Sequence, residues 1–131
     1  MGCPVNLKYL SSHQWVRLEG NVGTVGITEY GQEKMGDILY VELPQKGKKV
    51  KQKDSFCTLE SVKAVFDVPS PVSGEIIEVN NKLKDDPSFI NKDPYGEGWL
   101  VKIKLSDPSE LDLLLGASEY EKVVEKEKEE K

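Results

Sequence analysis

The chain alternates short strand-like runs with glycine, proline and asparagine turns, and this punctuation constrains the fold most. β-Branched and aromatic residues favour strands, whereas Gly, Pro and Asn favour turns. Long helical periodicity is rare, so the pattern predicts a mostly-β barrel or sandwich rather than a βαβ enzyme fold. The predicted strands are residues 15–18, 22–27, 38–43, 56–61, 66–68, 74–79 and 99–105.

Short helices are predicted at three places. Thr28 can cap a helical turn that ends near Gly36, and the Asp107-Pro108 pair can start a second, which runs to about residue 115. Ser118 and Glu121 fit a capping box for a third helix.

The chain is predicted to divide near its C-terminal end. The last thirteen residues, 119–131, hold ten charges of mixed sign, a pattern typical of a solvated helix. We therefore expect one domain over residues 1–118, including the short helix near 108–115, and a charged, fraying helical tail over 119–131.

Composition narrows the function classes. The net charge is -5 and Arg17 is the only arginine, so general nucleic-acid binding is not expected. The longest apolar clusters are only a few residues long, so no membrane span is predicted. Residues 1–6 lack the pattern of a secretory signal, and we expect a cytoplasmic protein.

Conventional catalytic and metal motifs are not found. His13 is the single histidine, which leaves only an isolated acid–base role open. Cys3 and Cys57 form no metal-ligand pair and are expected to be free thiols. The glycines of residues 23–26 lack the spacing and the lysine of a phosphate loop, so we interpret them as packing positions in a sheet.

Lys63 is the residue whose context favours chemistry. The flanking strands can pair as a hairpin with Lys63 at its tip, between Val62 and Ala64. It is one of seventeen lysines, and by type alone it is a solvated charge. A lysine at a tight tip is, however, accessible to a modifying enzyme and suits an amide-linked prosthetic arm. Glu60 and Asp67 flank it and are interpreted as surface charges.

A short echo lies on either side of Lys63. Gly36 and Gly74 each open a segment of the form Gly-acid-Ile, GDIL and GEII. A duplicated half-motif would produce this echo, although two short matches also arise in unrelated β proteins.

The segment ESVKA at 60–64, followed by PVSGE at 71–75, resembles the H proteins of the glycine cleavage system. In that family the lysine matching Lys63 carries lipoic acid in amide linkage, within a motif here formed by Glu60, Ser61, Val62 and Ala64. The resemblance implies a barrel-sandwich hybrid of two related halves. Further matches are SHQW at 12–15, VGIT at 25–28, GDI at 36–38, VELP at 41–44, EVN at 78–80 and NKDPYGEGW at 91–99.

Two related carriers fit less well. Biotin carriers usually place methionine on both sides of the lysine, where this chain has Val62 and Ala64. Lipoyl domains of 2-oxoacid dehydrogenase complexes more often have aspartate before the lysine and lack the DPYGEGW segment.

The resemblance implies a non-catalytic carrier. Its lipoyl arm would take the aminomethyl group of glycine from glycine decarboxylase, the pyridoxal-phosphate P protein, to the tetrahydrofolate-dependent aminomethyltransferase, the T protein. Dihydrolipoyl dehydrogenase, the L protein, would then reoxidise the arm, and a separate lipoate-attaching enzyme would load it. A monomer with transient contacts to these partners is expected.

The family also shelters its arm in a surface cleft. By analogy Ser12, Gln14, Lys34 and Asp67 belong to the cleft, but the family usually has glutamate at the position of Gln14, and some members have histidine at that of Lys34. A neutral Gln14 replaces a carboxylate only partly in holding a cationic amine. Lys34 would add repulsion if it pointed inward.

Two alternatives remain open at this point. An H-like carrier could serve sulfur oxidation or relay lipoyl groups to other complexes, which the changes at Gln14 and Lys34 would suit. The chain could also be a structural adaptor in which Lys63 is an ordinary surface lysine.

Overall fold

The computed structural model describes residues 3–130, so Met1, Gly2 and Lys131 at the ends of the two predicted segments lie outside it. The strands are β1 (Lys8–Tyr9), β2 (Gln14–Glu19), β3 (Val22–Ile27), β4 (Ile38–Glu42), β5 (Lys49–Val50), β6 (Ser55–Ser61), β7 (Val65–Pro69), β8 (Gly74–Val79) and β9 (Val101–Leu105). The helices are α1 (Glu29–Met35), α2 (Lys82–Asp85), α3 (Phe89–Lys92), a 3₁₀ helix (Pro108–Leu113) and α4 (Ala117–Glu129).

Two antiparallel sheets enclose the main core. One has six strands in the order β1-β2-β3-β9-β8-β5, and the other has three in the order β4-β6-β7. Their inward side chains, among them Ile27, Leu59 and Ile103, are fully buried. This arrangement confirms the mostly-β prediction, and each of the seven predicted strands is present with ends shifted by at most two residues.

Local chemistry explains the predicted first helix and the glycines of β3. The Thr28 hydroxyl accepts a hydrogen bond from the Gly31 N–H at 3.0 Å and caps α1, which ends at Gly36 as predicted. A Cβ on Gly26 would lie 2.5 Å from the Trp15 ring. The interpretation of the glycines as sheet packing is confirmed there.

The C-terminal helix differs from the expected solvated tail. Tyr120 is fully buried in a second apolar cluster and stacks on Tyr9 with ring centroids 4.6 Å apart. Apolar residues recur at helical spacing over only about two turns of α4, and charged residues surround them. The sequence pattern therefore did not reveal the buried face of this helix. The division at 118/119 stays a prediction.

The predicted capping box of α4 is wrong. The helix begins at Ala117, and the Glu119 carboxylate accepts a hydrogen bond from the Gly116 N–H at 3.0 Å. Glu121 instead accepts from the Cys3 N–H at 3.0 Å.

Within residues 3–130, no helix combines the length and apolar character that a membrane crossing needs.

The two Gly-acid-Ile segments each lead into a strand with a register shift, one in each sheet. Gly36 precedes β4 and Gly74 opens β8, and each strand has a register shift directly after the isoleucine of its motif. The cross-strand pairs beyond the shifts are Tyr40 with Glu60 and Glu78 with Lys102, which lie 38 residues apart along the first strand and 42 along its partner. This shared register supports the predicted duplication.

Candidate functional site

The turn between β6 and β7 presents Lys63 at its tip. The Ser61 hydroxyl accepts hydrogen bonds from the N–H groups of Lys63 at 3.0 Å and Ala64 at 3.3 Å. The Ser61 N–H in turn donates to the Ala64 carbonyl at 2.9 Å. Three bonds over four residues hold the tip in one conformation, while Val62, Lys63 and Ala64 remain exposed. The predicted hairpin with Lys63 at its tip is confirmed.

The tip rests on the segment that follows α1. The Val62 N–H donates to the Asp37 carbonyl at 3.0 Å, and the Lys63 ammonium donates to the Lys34 carbonyl at 3.4 Å. A Cβ on Gly36 would lie 3.4 Å from the Lys63 Cε, and Gly36 has φ +82°. Glycine therefore lets the chain leave the helix directly beneath the stem of Lys63.

Asn91 holds this segment in place. Its Oδ1 accepts from the Ile38 N–H at 2.9 Å, and its Nδ2 donates to the Gly36 carbonyl at 3.0 Å and to Gln32 Oε1 at 2.8 Å. One side chain thus joins the end of α1 to the start of β4. Sequence reasoning missed this role, although Asn91 is the first residue of the NKDPYGEGW match.

Ser12 provides hydrogen-bond partners for both polar atoms of the Gln14 side chain. Gln14 is 2% exposed; its Oε1 accepts from the Ser12 hydroxyl and its Nε2 donates to the Ser12 carbonyl at 2.9 Å. A glutamate here would set a carboxylate oxygen against that carbonyl, so the amide suits this buried position.

Lys34 is paired with the C-terminal helix. Its ammonium lies 2.6 Å from a Glu127 carboxylate oxygen, and the other oxygen lies 2.9 Å from His13 Nε2. The bond to Glu127 raises the pKa of Lys34. Burial acts to raise the pKa of Glu127, but the bonds from Lys34 and His13 outweigh it and the pKa is lowered.

His13 has a structural role, in contact with α4. Its Nδ1 lies 2.7 Å from the Tyr120 hydroxyl, which is also 2.6 Å from the Thr28 hydroxyl. Burial lowers the pKa of His13, and Glu127 opposes that shift. The histidine therefore fastens α4 to the start of α1. Glu127 was missed because it stands among many similar charges in the sequence.

Asp67 lies apart from these groups. It is exposed on the outer face of the three-stranded sheet, where it accepts from the Thr58 hydroxyl at 3.3 Å. Glu60 is exposed two residues further along β6. Of the residues assigned to a cleft, the structure brings the Lys34 backbone to Lys63 and pairs Ser12 with Gln14, whereas Asp67 contacts Thr58.

Cys3 and Cys57 are free, as predicted, and burial raises the pKa of Cys57 to about 12. Within the part of the chain that the structure describes, no group of three or more His, Cys, Asp and Glu side chains could hold a metal ion.

Known proteins resemble this chain over nearly all its length. The family model for Glycine cleavage H-protein matches residues 7–127. The glycine cleavage system H protein of Symbiobacterium thermophilum is 52% identical over 118 residues, covering 90% of this chain and 92% of that protein. The mitochondrial H protein of Flaveria pringlei is 52% identical over 92% of this chain and 75% of its own length.

A solved structure agrees in shape as well as in sequence. The crystal structure of a glycine cleavage system H protein from Mycobacterium marinum superposes with a TM-score of 0.82 at 39% identity, covering 90% of this chain and 95% of that one. The predicted barrel-sandwich hybrid is thereby confirmed. Relatives, family model and fold agree: the chain belongs to the glycine cleavage H-protein family, whose members are carrier proteins and not enzymes.

Proposed function

We propose that this chain is the lipoyl carrier of a glycine cleavage system and that Lys63 is its attachment residue. The observation that carries the proposal is the Ser61-fixed turn, which presents an exposed lysine at the tip of a two-stranded hairpin. The ESVKA segment that the family uses for attachment coincides with this turn. A cytoplasmic monomer that meets its partners transiently is part of the same proposal.

The residues of the turn fit an amide-linked group. Loss of a proton from the Lys63 ammonium leaves an amine that attacks the carbonyl carbon of an activated lipoyl donor; the amide bond forms and the donor's leaving group departs. Because Ser61 holds the backbone and Glu60, Val62 and Ala64 flank it, the amine has a fixed origin for this reaction.

When bound to Lys63, a lipoyl group would supply a dithiolane able to carry the aminomethyl group between glycine decarboxylase and the aminomethyltransferase, and dihydrolipoyl dehydrogenase would restore its disulfide. The chain's own contribution is to position the arm. Lys34 offers a backbone carbonyl beside the Lys63 amine, and its own ammonium is turned to Glu127. We assign Ser12, Gln14 and Asp67 to the cleft only by analogy with the family.

The test compares two lysine variants. Lys63→Arg keeps the charge but removes the primary amine, so we expect no lipoyl mass increment and no exchange of glycine with bicarbonate, with the melting temperature unchanged. Lys84→Arg, a matched change at another exposed lysine, should behave as the parent protein. Full lipoylation of Lys63→Arg would contradict the assignment.

A second candidate keeps the arm and changes the pathway. The closed Ser12–Gln14 pair favours it, since this position lacks the carboxylate usual in the family. A lipoylated protein that fails with glycine decarboxylase and couples to a sulfur-transferring complex would select this alternative.

A further inference from the structure

Exposed apolar side chains are concentrated around Lys63. Among residues 3–130, six large apolar side chains are strongly exposed, and Val5 and Leu113 are the two that lie elsewhere. The other four form what we call the apolar patch: Leu39 (59% exposed), Tyr40 (58%), Val62 (60%) and Val65 (63%). Single exposed apolar residues are ordinary, but a contiguous group marks an interaction surface.

The sheet register explains the positions of Tyr40 and Val65. Tyr40 pairs with Glu60, and Glu60 pairs with Val65, so the three stand in one row across β4, β6 and β7. The register shift between Ile38 and Tyr40 leaves both Leu39 and Tyr40 exposed, although strand neighbours normally alternate. The irregularity therefore enlarges the apolar surface next to the Lys63 turn.

Within the two segments that carry the patch, every charge except Lys63 is acidic, and α2, which packs against β4, adds Lys82 and Lys84 nearby. Residues 35–45 and 54–71 contain no basic side chain except Lys63, in a chain with eighteen basic residues. The nearby Lys34 ammonium is paired with Glu127. The acids of these two segments are all exposed; they are Asp37, Glu42, Asp54, Glu60 and Asp67.

We propose that the apolar patch and its acidic rim form the docking surface for the enzyme that attaches the lipoyl group to Lys63. The inference rests on the proposed function. That enzyme must select one lysine among seventeen while no lipoyl group is present, so it must recognise the protein surface around the amine. Enzymes that act later can bind the lipoyl group itself, away from the hairpin.

The surface also specifies the partner's chemistry. An apolar hollow would cover Tyr40 and its neighbours, and basic side chains around that hollow would face the acidic rim. Lys63, as the one cation of these two segments, would project into an active site within a positive border. Attachment should therefore weaken as salt rises, because the rim charges are exposed and screened.

The experiment measures attachment directly. Unlipoylated protein is incubated with lipoate–protein ligase, lipoate and ATP, and the rate of lipoyl addition is followed by intact mass. The Leu39→Thr/Tyr40→Thr double variant and Val65→Thr keep β-forming residues on the strands and remove apolar surface. Leu113→Thr, at a side chain 72% exposed, is the matched control.

We expect kcat/KM for attachment to fall about tenfold or more in the double variant and severalfold in Val65→Thr, mainly through KM. Leu113→Thr should equal the parent protein, and all variants should keep its melting temperature. Raising salt from about 50 to about 500 mM should increase the parent's KM.

Three results would overturn the proposal: equal attachment rates in all variants, an equal fall in Leu113→Thr, or normal attachment with reduced glycine exchange after full lipoylation. The last would assign the patch to the decarboxylase instead. A parent protein that the ligase never modifies at Lys63 would overturn the proposed function, and the docking surface with it.

Discussion

The strands β4 and β8 share a Gly-acid-Ile motif followed by a register shift, and they differ in their surfaces. In β4 the pair beyond the bulge is Tyr40 with Glu60, an exposed aromatic ring beside an acid. In β8 the equivalent pair is Glu78 with Lys102, two opposite charges. The partner strand β6 continues into the Lys63 turn, whereas β9 ends at the buried Leu105.

The duplicated strand motif does not itself determine function. Both copies place a bulge after the same Gly-acid-Ile motif, yet only the first combines an exposed lysine turn with an apolar, acid-rimmed surface. The second copy pairs Glu75 with Lys104 and Glu78 with Lys102, which are opposite charges, so a partner can distinguish the two surfaces.

The largest expected difference between the copies concerns their glycines. A Cβ on Gly74 would lie 2.0 Å from the Lys104 carbonyl oxygen, whereas one on Gly36 would meet only the side chains of Lys63 and Val62, at 3.4 Å. Gly74→Ala should therefore cost about 3–5 kcal/mol of unfolding free energy. Gly36→Ala should cost about 1–3 kcal/mol, through its positive φ alone.

Urea denaturation of both variants measures this difference. Gly47→Ala is a useful control, because Gly47 also has a positive φ but open space around it. If Gly74→Ala proved no less stable than Gly36→Ala, the tight approach of β8 to β9 would be contradicted.

A second contrast concerns the asparagine that fastens each copy. Asn80 follows β8, is 3% exposed and donates to the carbonyls of Glu97 and Trp99 at 2.8 Å. Asn91 fastens the first copy and is half-buried. Asn80→Ala should cost about 2–3 kcal/mol and Asn91→Ala about 1–2 kcal/mol, because unpaired buried groups are penalised most.

The two substitutions should also differ in function. Since Asn91 holds the segment under Lys63, Asn91→Ala should slow lipoyl attachment when measured well below its melting temperature, while Asn80→Ala should not. Thermal denaturation followed by an attachment assay tests both points. Equal attachment rates would mean that Asn91 supports the fold without positioning the turn.

The sequence predicts the strands well because each has β-forming residues bounded by turn residues. It misses α2 and α3, which have four residues each, since one helical turn has no measurable periodicity. The buried face of α4 is missed for another reason: Tyr120 is one aromatic residue among many charges. Its burial depends on Tyr9 and His13, more than a hundred residues away.

The residues of the candidate site divide in the same way, into those that the local sequence identifies and those whose contacts lie far away in the chain. Lys63 could be predicted because a turn and a local motif identify it. The contacts of Lys34 could not, because Glu127 lies 93 residues away and resembles its neighbours in α4. Asp67 is assigned to the cleft by family analogy, and the structure places its side chain beside Thr58 on the outer face of the three-stranded sheet.

A third prediction concerns how stability depends on pH. It rests on His13, which fastens α4 to the start of α1. Because the pKa of His13 is lowered in the folded state, the unfolded chain binds the proton more readily below about pH 6.5. Stability is therefore complete above that pH and is lost as the pH falls towards the folded pKa. The melting temperature should drop by a few degrees between about pH 7.5 and about pH 5.5.

His13→Asn is the matched variant, since asparagine tolerates the φ of +81° found at this position. Tyr120, Glu127, Lys34 and Tyr30 surround the ring, and all are retained. The variant should be less stable at neutral pH but nearly independent of pH over this range, as calorimetry would show. An unchanged pH slope would exclude His13 as its origin.

The smallest expected difference concerns one ion pair beside each copy. Lys34 and Glu127 are 41% and 26% exposed, whereas Lys82 and Glu97 are 65% and 52% exposed. Double-mutant cycles with alanine should give a coupling of about 0.5–1 kcal/mol for the first pair and about 0.3 kcal/mol or less for the second, because solvent screens exposed charges. High salt should reduce both couplings. A larger coupling for Lys82 and Glu97 would reverse the comparison and place the tighter electrostatic link beside the copy that has no lysine turn.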